Sequence, residues 1–234
     1  RRTSAHTGTA GDQVVAEPER APPAGGLRLL LKGRHAMLTW GLMACGVAWG
    51  LVNFGFLLWL PTNLGSMDMD PAAANQLLAR SALMALPGIA LVIWLYHRWG
   101  SIGALVLFVA ATAATLLCFA GRPRAQRRPP PAMVAPTALL LVSSSGVIAM
   151  LIPYAAEIYP VHLRGTGSGV VAASSKAGGI LGAGFGVLGV FDHLAGSALF
   201  IAAALAVAAG LLWRSGVETR GRRLEDIQAA FGAD

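Results

Sequence analysis

From residue 36 onward the chain reads as six long apolar runs separated by short polar stretches, at 36–60, 73–96, 102–120, 132–158, 167–190 and 194–213. Each run approaches the ~20 residues needed to cross a hydrocarbon layer ~30 Å thick. None shows the period-2 alternation of a barrel strand, and lipid offers backbone groups no partner, so every run is predicted to be a helix. The expected fold is therefore an all-α membrane protein with six transmembrane helices. Residues 1–35, rich in Gly, Pro, Ala and Arg, read as a polar tail or the remnant of a loop. Residues 214–234 read as a second tail, charged and then weakly amphipathic, with Leu224, Ile227 and Phe231 at helical spacing.

Composition strengthens this reading. Of 234 residues 55% are hydrophobic and 12% charged, where a soluble domain carries about a quarter charged residues. The net charge of +7 does not point to nucleic acid, because Lys and Arg sit mostly between the apolar runs and form no basic patch interleaved with aromatics. They set topology instead. With both tails inside, twelve Lys and Arg fall on the inner side and four on the outer side, while Arg80 and Lys176 lie within runs. That bias predicts cytoplasmic termini in a multi-pass plasma-membrane protein. The four outer arginines all lie in "GRPRAQRRPPPAMVAP", which is either a local insertion or a sign that the span count is off by one. The Ala-, Gly- and Arg-rich composition suggests a bacterial inner membrane. The chain begins at Arg1, with no initiator Met and no signal-peptide pattern, as expected of a fragment or a processed chain.

Little here suggests an enzyme. The five histidines are scattered over tails and loops without metal-ligand spacing, and no Ser/His/Asp set emerges. Cys45 and Cys118 fall in apolar runs and read as small hydrophobes. No metal, cofactor or catalytic residue is expected.

Charge within lipid costs ~2.5–3.5 kcal/mol on insertion scales, which singles out two residues. Arg80 lies one or two turns into the second run, on one face with Gln76 and Met84; it is either a substrate contact or a side chain long enough to reach the outer surface. Lys176 lies twelve residues beyond Arg164, a rise of ~18 Å, which is mid-membrane. It is expected to face the central path and meet an anionic substrate or a carboxylate from elsewhere, and a buried lysine that loses its proton would suit proton coupling. In the first run Thr39, Met43, Gly46, Gly50 and Asn53 form a stripe that either packs helices or offers Asn53 to substrate. In the fourth, Ser143, Gly146, Met150 and Tyr154 share a face, and Tyr154 is a further substrate-binding candidate. Gly178, Gly182 and Gly186 repeat every four residues, a close-packing signature.

Between the fourth and fifth runs lies "PYAAEIYPVHLRGTGSG". Pro160 should end the fourth helix near Tyr159. Glu157 and Arg164, seven residues apart across it, are expected at the inner membrane edge, either as a topological pair or as part of a gate. The glycines do not fit G-x-G-x-x-G, which makes nucleotide binding a weak reading.

The stretch from Tyr154 through Ala156, Glu157, Tyr159, Pro160, Arg164, Gly167 and Gly169 resembles the segment between the tenth and eleventh helices of the major facilitator superfamily. The sugar-porter and metabolite:proton-symporter branches are nearest. "WLPTNLG" is similar to the end of that family's seventh helix, and "ETRGRRLEDI" to the sugar-porter tail, with Val217 where that tail has proline. The resemblance extends from about Leu29 to the end of the chain. It implies the C-terminal six-helix half of a twelve-helix transporter, a 3+3 inverted repeat whose N-terminal half is missing. It also implies transport of a small organic solute, such as an organic acid or sugar, by proton-coupled symport with alternating access. A drug-exporting antiporter and a non-transporting membrane fragment are the alternatives. In the family, the loop between helices eight and nine often reads Asp-Arg-x-Gly-Arg-Arg. Here Arg98 and Gly100 match while His97 and Ser101 replace an acid and a base, so any inner charge latch formed by Arg98, Glu157 and Arg164 is expected to be weak.

Overall fold

The structure, a computed structural model, describes residues 26–32, 36–65, 70–121 and 131–219. All regular structure among them is helical: a short α1 (Gly26–Lys32), then α2 (Ala36–Gly65), α3 (Pro71–Trp99), α4 (Ser101–Ala120), α5 (Pro131–Ile158), α6 (Val161–Val187) and α7 (Leu194–Ser215). The last six are long and apolar enough to cross a membrane, so the fold of the described residues is an all-α bundle of six membrane helices. The arginine-rich segment at 122–130, the first tail to residue 25 and the second from residue 220 lie outside the described residues.

Four of the six helices begin or end within a few residues of the apolar runs, and two differ instructively. α2 continues through Pro61 to Gly65. In an α-pattern the carbonyl released by Pro61 is that of Leu57, and Leu57 is the last residue of a π-helical stretch, Leu51–Leu57, inside α2. α6 starts at Val161 rather than at residue 167. Its first turns carry Arg164 and three glycines, which read as a loop, yet Pro160 (φ −54°, ψ 152°) launches the helix directly after the break at Ile158.

α2 is the hub. It packs along α6 and α7; α4 packs against α5 and α7, and α3 leans mainly on α5. The α2–α6 seam is closed by glycines on both sides. A Cβ at Gly178 would strike the backbone of Val47, one at Gly182 would come within 2.8 Å of the Gly55 nitrogen, and one at Gly186 would overlap the Trp59 ring. From the other side, Gly50 abuts the backbone of Ser175, Gly178 and Gly179. Backbones this close gain dispersion contacts that larger side chains would prevent. α3 is the least covered helix, with Leu83, Met84, Leu86, Leu91, Ile93 and Trp94 all exposed.

Because the helices alternate in direction, one end of the bundle gathers α1, the start of α2, the α3–α4 turn, the α5–α6 elbow and the residues after α7. This is called the α1 end below. At the elbow, Thr39 Oγ1 and the Tyr159 hydroxyl share a 2.9 Å hydrogen bond, and Gly167 leaves room for the Tyr159 ring. Burial pushes the Tyr159 phenol up, against the opposing pull of that hydrogen bond, so it stays protonated at neutral pH.

Candidate functional site

Half-way along α2 the π-helical stretch carries Asn53. A π-turn widens the helix by one residue and such turns recur at functional sites. Asn53 Nδ2 donates to the Trp49 carbonyl at 3.0 Å and to Ser144 Oγ on α5 at 2.7 Å. Trp49 Nε1 donates to the Ser144 carbonyl at 2.9 Å. Trp49 also meets Phe54 edge to face, with centroids 6.2 Å apart at 81°. Asn53 and Trp49 are half-buried and Phe54 is exposed. The cluster therefore combines two aromatic faces with a polar joint spanning α2 and α5. Both Asn53 amide protons are engaged, which orients its carbonyl oxygen as an acceptor.

Of the stripe on α2, only Asn53 takes this position. Thr39 is held by Tyr159, while Gly46 and Gly50 press on the α6 backbone near Ser174 and Ser175. On α5 the face sharing Ser143, Gly146, Met150 and Tyr154 points into the core. Ser143 donates to its own helix at Leu140, Gly146 sits against the Phe108 ring, and Met150 and Tyr154 are fully buried. The side chain that meets Asn53 is Ser144, one residue round the helix. Trp49 and Ser144 are thus the members that sequence reasoning missed. The spacing of Trp49 and Asn53, four apart on one helix, was the available signal.

The two intramembrane cations stand apart from this cluster. Lys176 is exposed on α6, on a strip with Gly169, Ala173 and Ile180. Its neighbour Ser175 abuts Gly50, so Lys176 lies at the level of the middle of α2. Arg80 is exposed on α3, together with Gln76 and Met84.

At the α1 end the chain after α7 folds back under the bundle. The Tyr154 hydroxyl donates to the Val217 carbonyl at 2.8 Å and accepts from its N–H at 2.9 Å. Thr219 Oγ1 donates to Glu157 Oε2 at 2.8 Å and shares a 2.7 Å hydrogen bond with Ser101 Oγ, which itself lies 3.5 Å from Glu157 Oε2. The Ser101 N–H, the first of α4, donates to Glu218 Oε1 at 2.9 Å. Gly100 makes this possible: its φ of +91° turns α3 into α4, and a Cβ there would lie 2.5 Å from the Glu218 carboxylate. Ser101, where the family's pattern has a base, is thus a hydrogen-bonding centre of the clamp.

Glu157 is half-buried in this clamp, and its described hydrogen bonds run to Thr219 and Ser101, not to Arg164. Arg164 Nε and Nη2 are buried without a hydrogen-bond partner among the described residues. Arg98 is exposed at the end of α3, and the His97 side chain lies outside what the structure describes. Tyr154 is fully buried, with its hydroxyl engaged by the backbone of Val217.

Comparison with known proteins accords with this architecture. A protein of Bacillus subtilis (strain 168) named "Putative niacin/nicotinamide transporter NiaP" is similar to this chain, with 29% identity over 186 residues. The match covers 76% of this chain and 45% of the relative, so the chain spans less than half of that protein's length. The sequence profile of the Major Facilitator Superfamily matches residues 3–183. With its six membrane helices, the chain belongs to the Major Facilitator Superfamily.

Proposed function

We propose that this chain is the C-terminal half of a secondary transporter and carries one wall of a solute site near the bilayer midplane. Membership of a transporter family supports movement of a solute across a membrane. The Asn53–Ser144–Trp49 joint is the observation that carries the placement of the site. It lies mid-way along α2, joins α2 to α5, and offers an acceptor oxygen beside two aromatic faces. That chemistry suits a small planar organic solute bearing a carboxamide, whose N–H could donate to the Asn53 oxygen, and the Bacillus relative's name includes such a solute. Sugars suit it less well, because the aromatic surface outweighs the donors.

In the intact protein a preceding six-helix half would face the exposed sides of α3 and α6, and the two would rock about the midplane site. Lys176 on α6 and Arg80 on α3 would then line that seam, with Lys176 paired to an anionic solute group or to a carboxylate of the other half. Proton-coupled symport follows from the resemblance to the symporter branches. Glu157 with Arg98 and Arg164 would form the cytoplasmic gate, both termini being cytoplasmic in a bacterial inner membrane. Residues 1–35 are the end of the central loop, 36–213 the bundle and 214–234 the tail.

Uptake of radiolabelled nicotinate and nicotinamide by cells making the intact transporter tests this. Asn53→Ala should weaken saturable uptake roughly tenfold, the worth of a hydrogen bond to a desolvated partner, and Lys176→Gln should abolish uptake of the acid while membrane abundance is unchanged. Uptake unaltered in both variants would overturn the site. Saturable uptake by liposomes holding this chain alone would overturn its assignment as a half.

A further inference from the structure

The solute joint on α2 is gripped from a second side. Asn53 ties the π-helical stretch Leu51–Leu57 to Ser144 on α5. Gly55 lies two residues on, and so on a different face of the helix. There it receives the ring of Phe191, from the turn between α6 and α7 at the end of the bundle opposite α1. A Cβ at Gly55 would lie 2.5 Å from Phe191 Cζ and 2.9 Å from Cε2, with the Gly182 Cα 3.4 Å away. The tip of the ring thus rests on the bare Cα of position 55, and Phe191 is fully buried.

The turn that delivers this ring is fixed by its own backbone. At the end of α6 the Val190 N–H donates to the Phe185 carbonyl at 2.9 Å and the Gly189 N–H to the Gly186 carbonyl at 3.1 Å. Gly189 has a φ of +74°, which completes a Schellman motif. The Asp192 N–H then donates to the Gly189 carbonyl at 3.1 Å, and the Ser197 N–H to the His193 carbonyl at 3.0 Å as α7 begins. Leu188 and Val190 are exposed, while Phe191 turns inward.

A π-helical turn is rare and needs packing to hold it. Relaxing to α-helical spacing would rotate one side of the stretch by one residue. Phe54 or Phe56 would then arrive where Gly55 stands, and neither ring fits beside Phe191. Each has its own place in the present register, Phe54 over Gly179 and Phe56 edge to face with Phe119. The Phe191 wedge therefore excludes the slip that would carry Asn53 away from Ser144.

We infer that Phe191 is a positioning residue for the solute site: its ring, seated on Gly55, holds Leu51–Leu57 in the register in which Asn53 meets Ser144. Phe191 acts through Asn53 and touches no solute. The role rests on the reading of the Asn53 joint as a solute contact.

Concentration-dependent uptake of nicotinamide by cells making the intact transporter tests it. Phe191→Ala should raise KM roughly tenfold, as Asn53→Ala does, while maximal uptake per transporter in the membrane holds. Phe191→Leu stays apolar but stops short of Gly55; it should fold normally and raise KM by less, so it carries the test even if Phe191→Ala does not fold. Asn53→Ala/Phe191→Leu should be no worse than Asn53→Ala alone, because the two changes act on one contact. A multiplied loss in the double variant, a fall in maximal uptake at unchanged KM, or an unchanged KM in Phe191→Leu would overturn the proposal. The register is also read without transport. In a transporter free of other cysteines, Asn53→Cys/Ser144→Cys should form a disulfide on oxidation with copper phenanthroline, and adding Phe191→Leu should cut the yield roughly fivefold. Equal yield would overturn the wedge. A reduced yield together with uptake indifferent to Asn53→Ala would instead overturn the solute reading, and with it the positioning role, while the wedge itself stood.

Discussion

The two faces of α6 are built from the same residue and behave in opposite ways. On the face toward α2, Gly178, Gly182 and Gly186 leave no room for a methyl group, because the partner backbone or ring fills the space. On the outer face, a Cβ at Gly165, Gly169 or Gly184 would meet nothing within 4 Å. Small residues at helical spacing therefore announce that some backbone approaches closely, without saying whose. The first face is satisfied within this bundle. The second, which also carries Lys176 at the level of the middle of α2, is the one a further six-helix half would cover in the proposed transporter. In that proposal one helix is a structural seam on one side and a docking surface on the other.

Changing a single hydrogen to a methyl on each face tests the contrast, and the largest effect belongs to the closed face. Gly178→Ala places its methyl against the Val47 backbone, which cannot rotate away as a side chain end could. The α2–α6 seam should open at a cost of ~1–3 kcal/mol, typical of overpacking. A lower thermal midpoint in detergent, followed by loss of the monodisperse peak on size exclusion, is the expected result. An unchanged midpoint would mean that the seam is looser than its geometry.

A smaller loss is expected at the α1 end. There the contact is a hydroxyl on a backbone rather than a filled volume. Tyr154→Phe keeps the ring that fills the core and removes only the bonds to Val217 N–H and C=O. At the rim, water can partly replace them, so the cost should be about 1 kcal/mol. Protease sensitivity of the chain after Ser215 should rise while the bundle stays folded. Loss of the whole bundle would instead show that the tail is integral to it.

These regions also differ in how much the sequence discloses. The six spans, the break at Pro160 and the glycine seam are legible, because hydropathy, a missing N–H and four-residue spacing act within one segment. The start of α6 is not: Arg164 and its glycines have the composition of a loop, and only packing on Tyr159 and α1 makes them helix. The Asn53 joint is half legible. The sequence singles out Asn53 as a polar residue in an apolar run, but its partner could be any of Ser143, Ser144 and Ser145 until the register of α5 against α2 is known. The π-helical stretch carries no mark in the sequence. The partner of Tyr154 is illegible for a related reason, since it is the backbone of a residue 63 positions away.

The smallest effect, and the most discriminating, is expected on the outer face of α6. Gly169→Ala adds a methyl where nothing lies within 4 Å, in a regular stretch of helix that alanine adopts without strain. Alanine has less backbone freedom to lose on folding, so the chain should gain ~0.4–1 kcal/mol. The isolated bundle should melt slightly higher, the reverse of the outcome at Gly178. In the intact transporter the same methyl would stand between two halves that slide past each other, and uptake should fall even as the midpoint rises. That pairing of opposite signs separates a docking face from a bare lipid-facing one. If α6 met only acyl chains there, stability would rise and uptake would stay as it was.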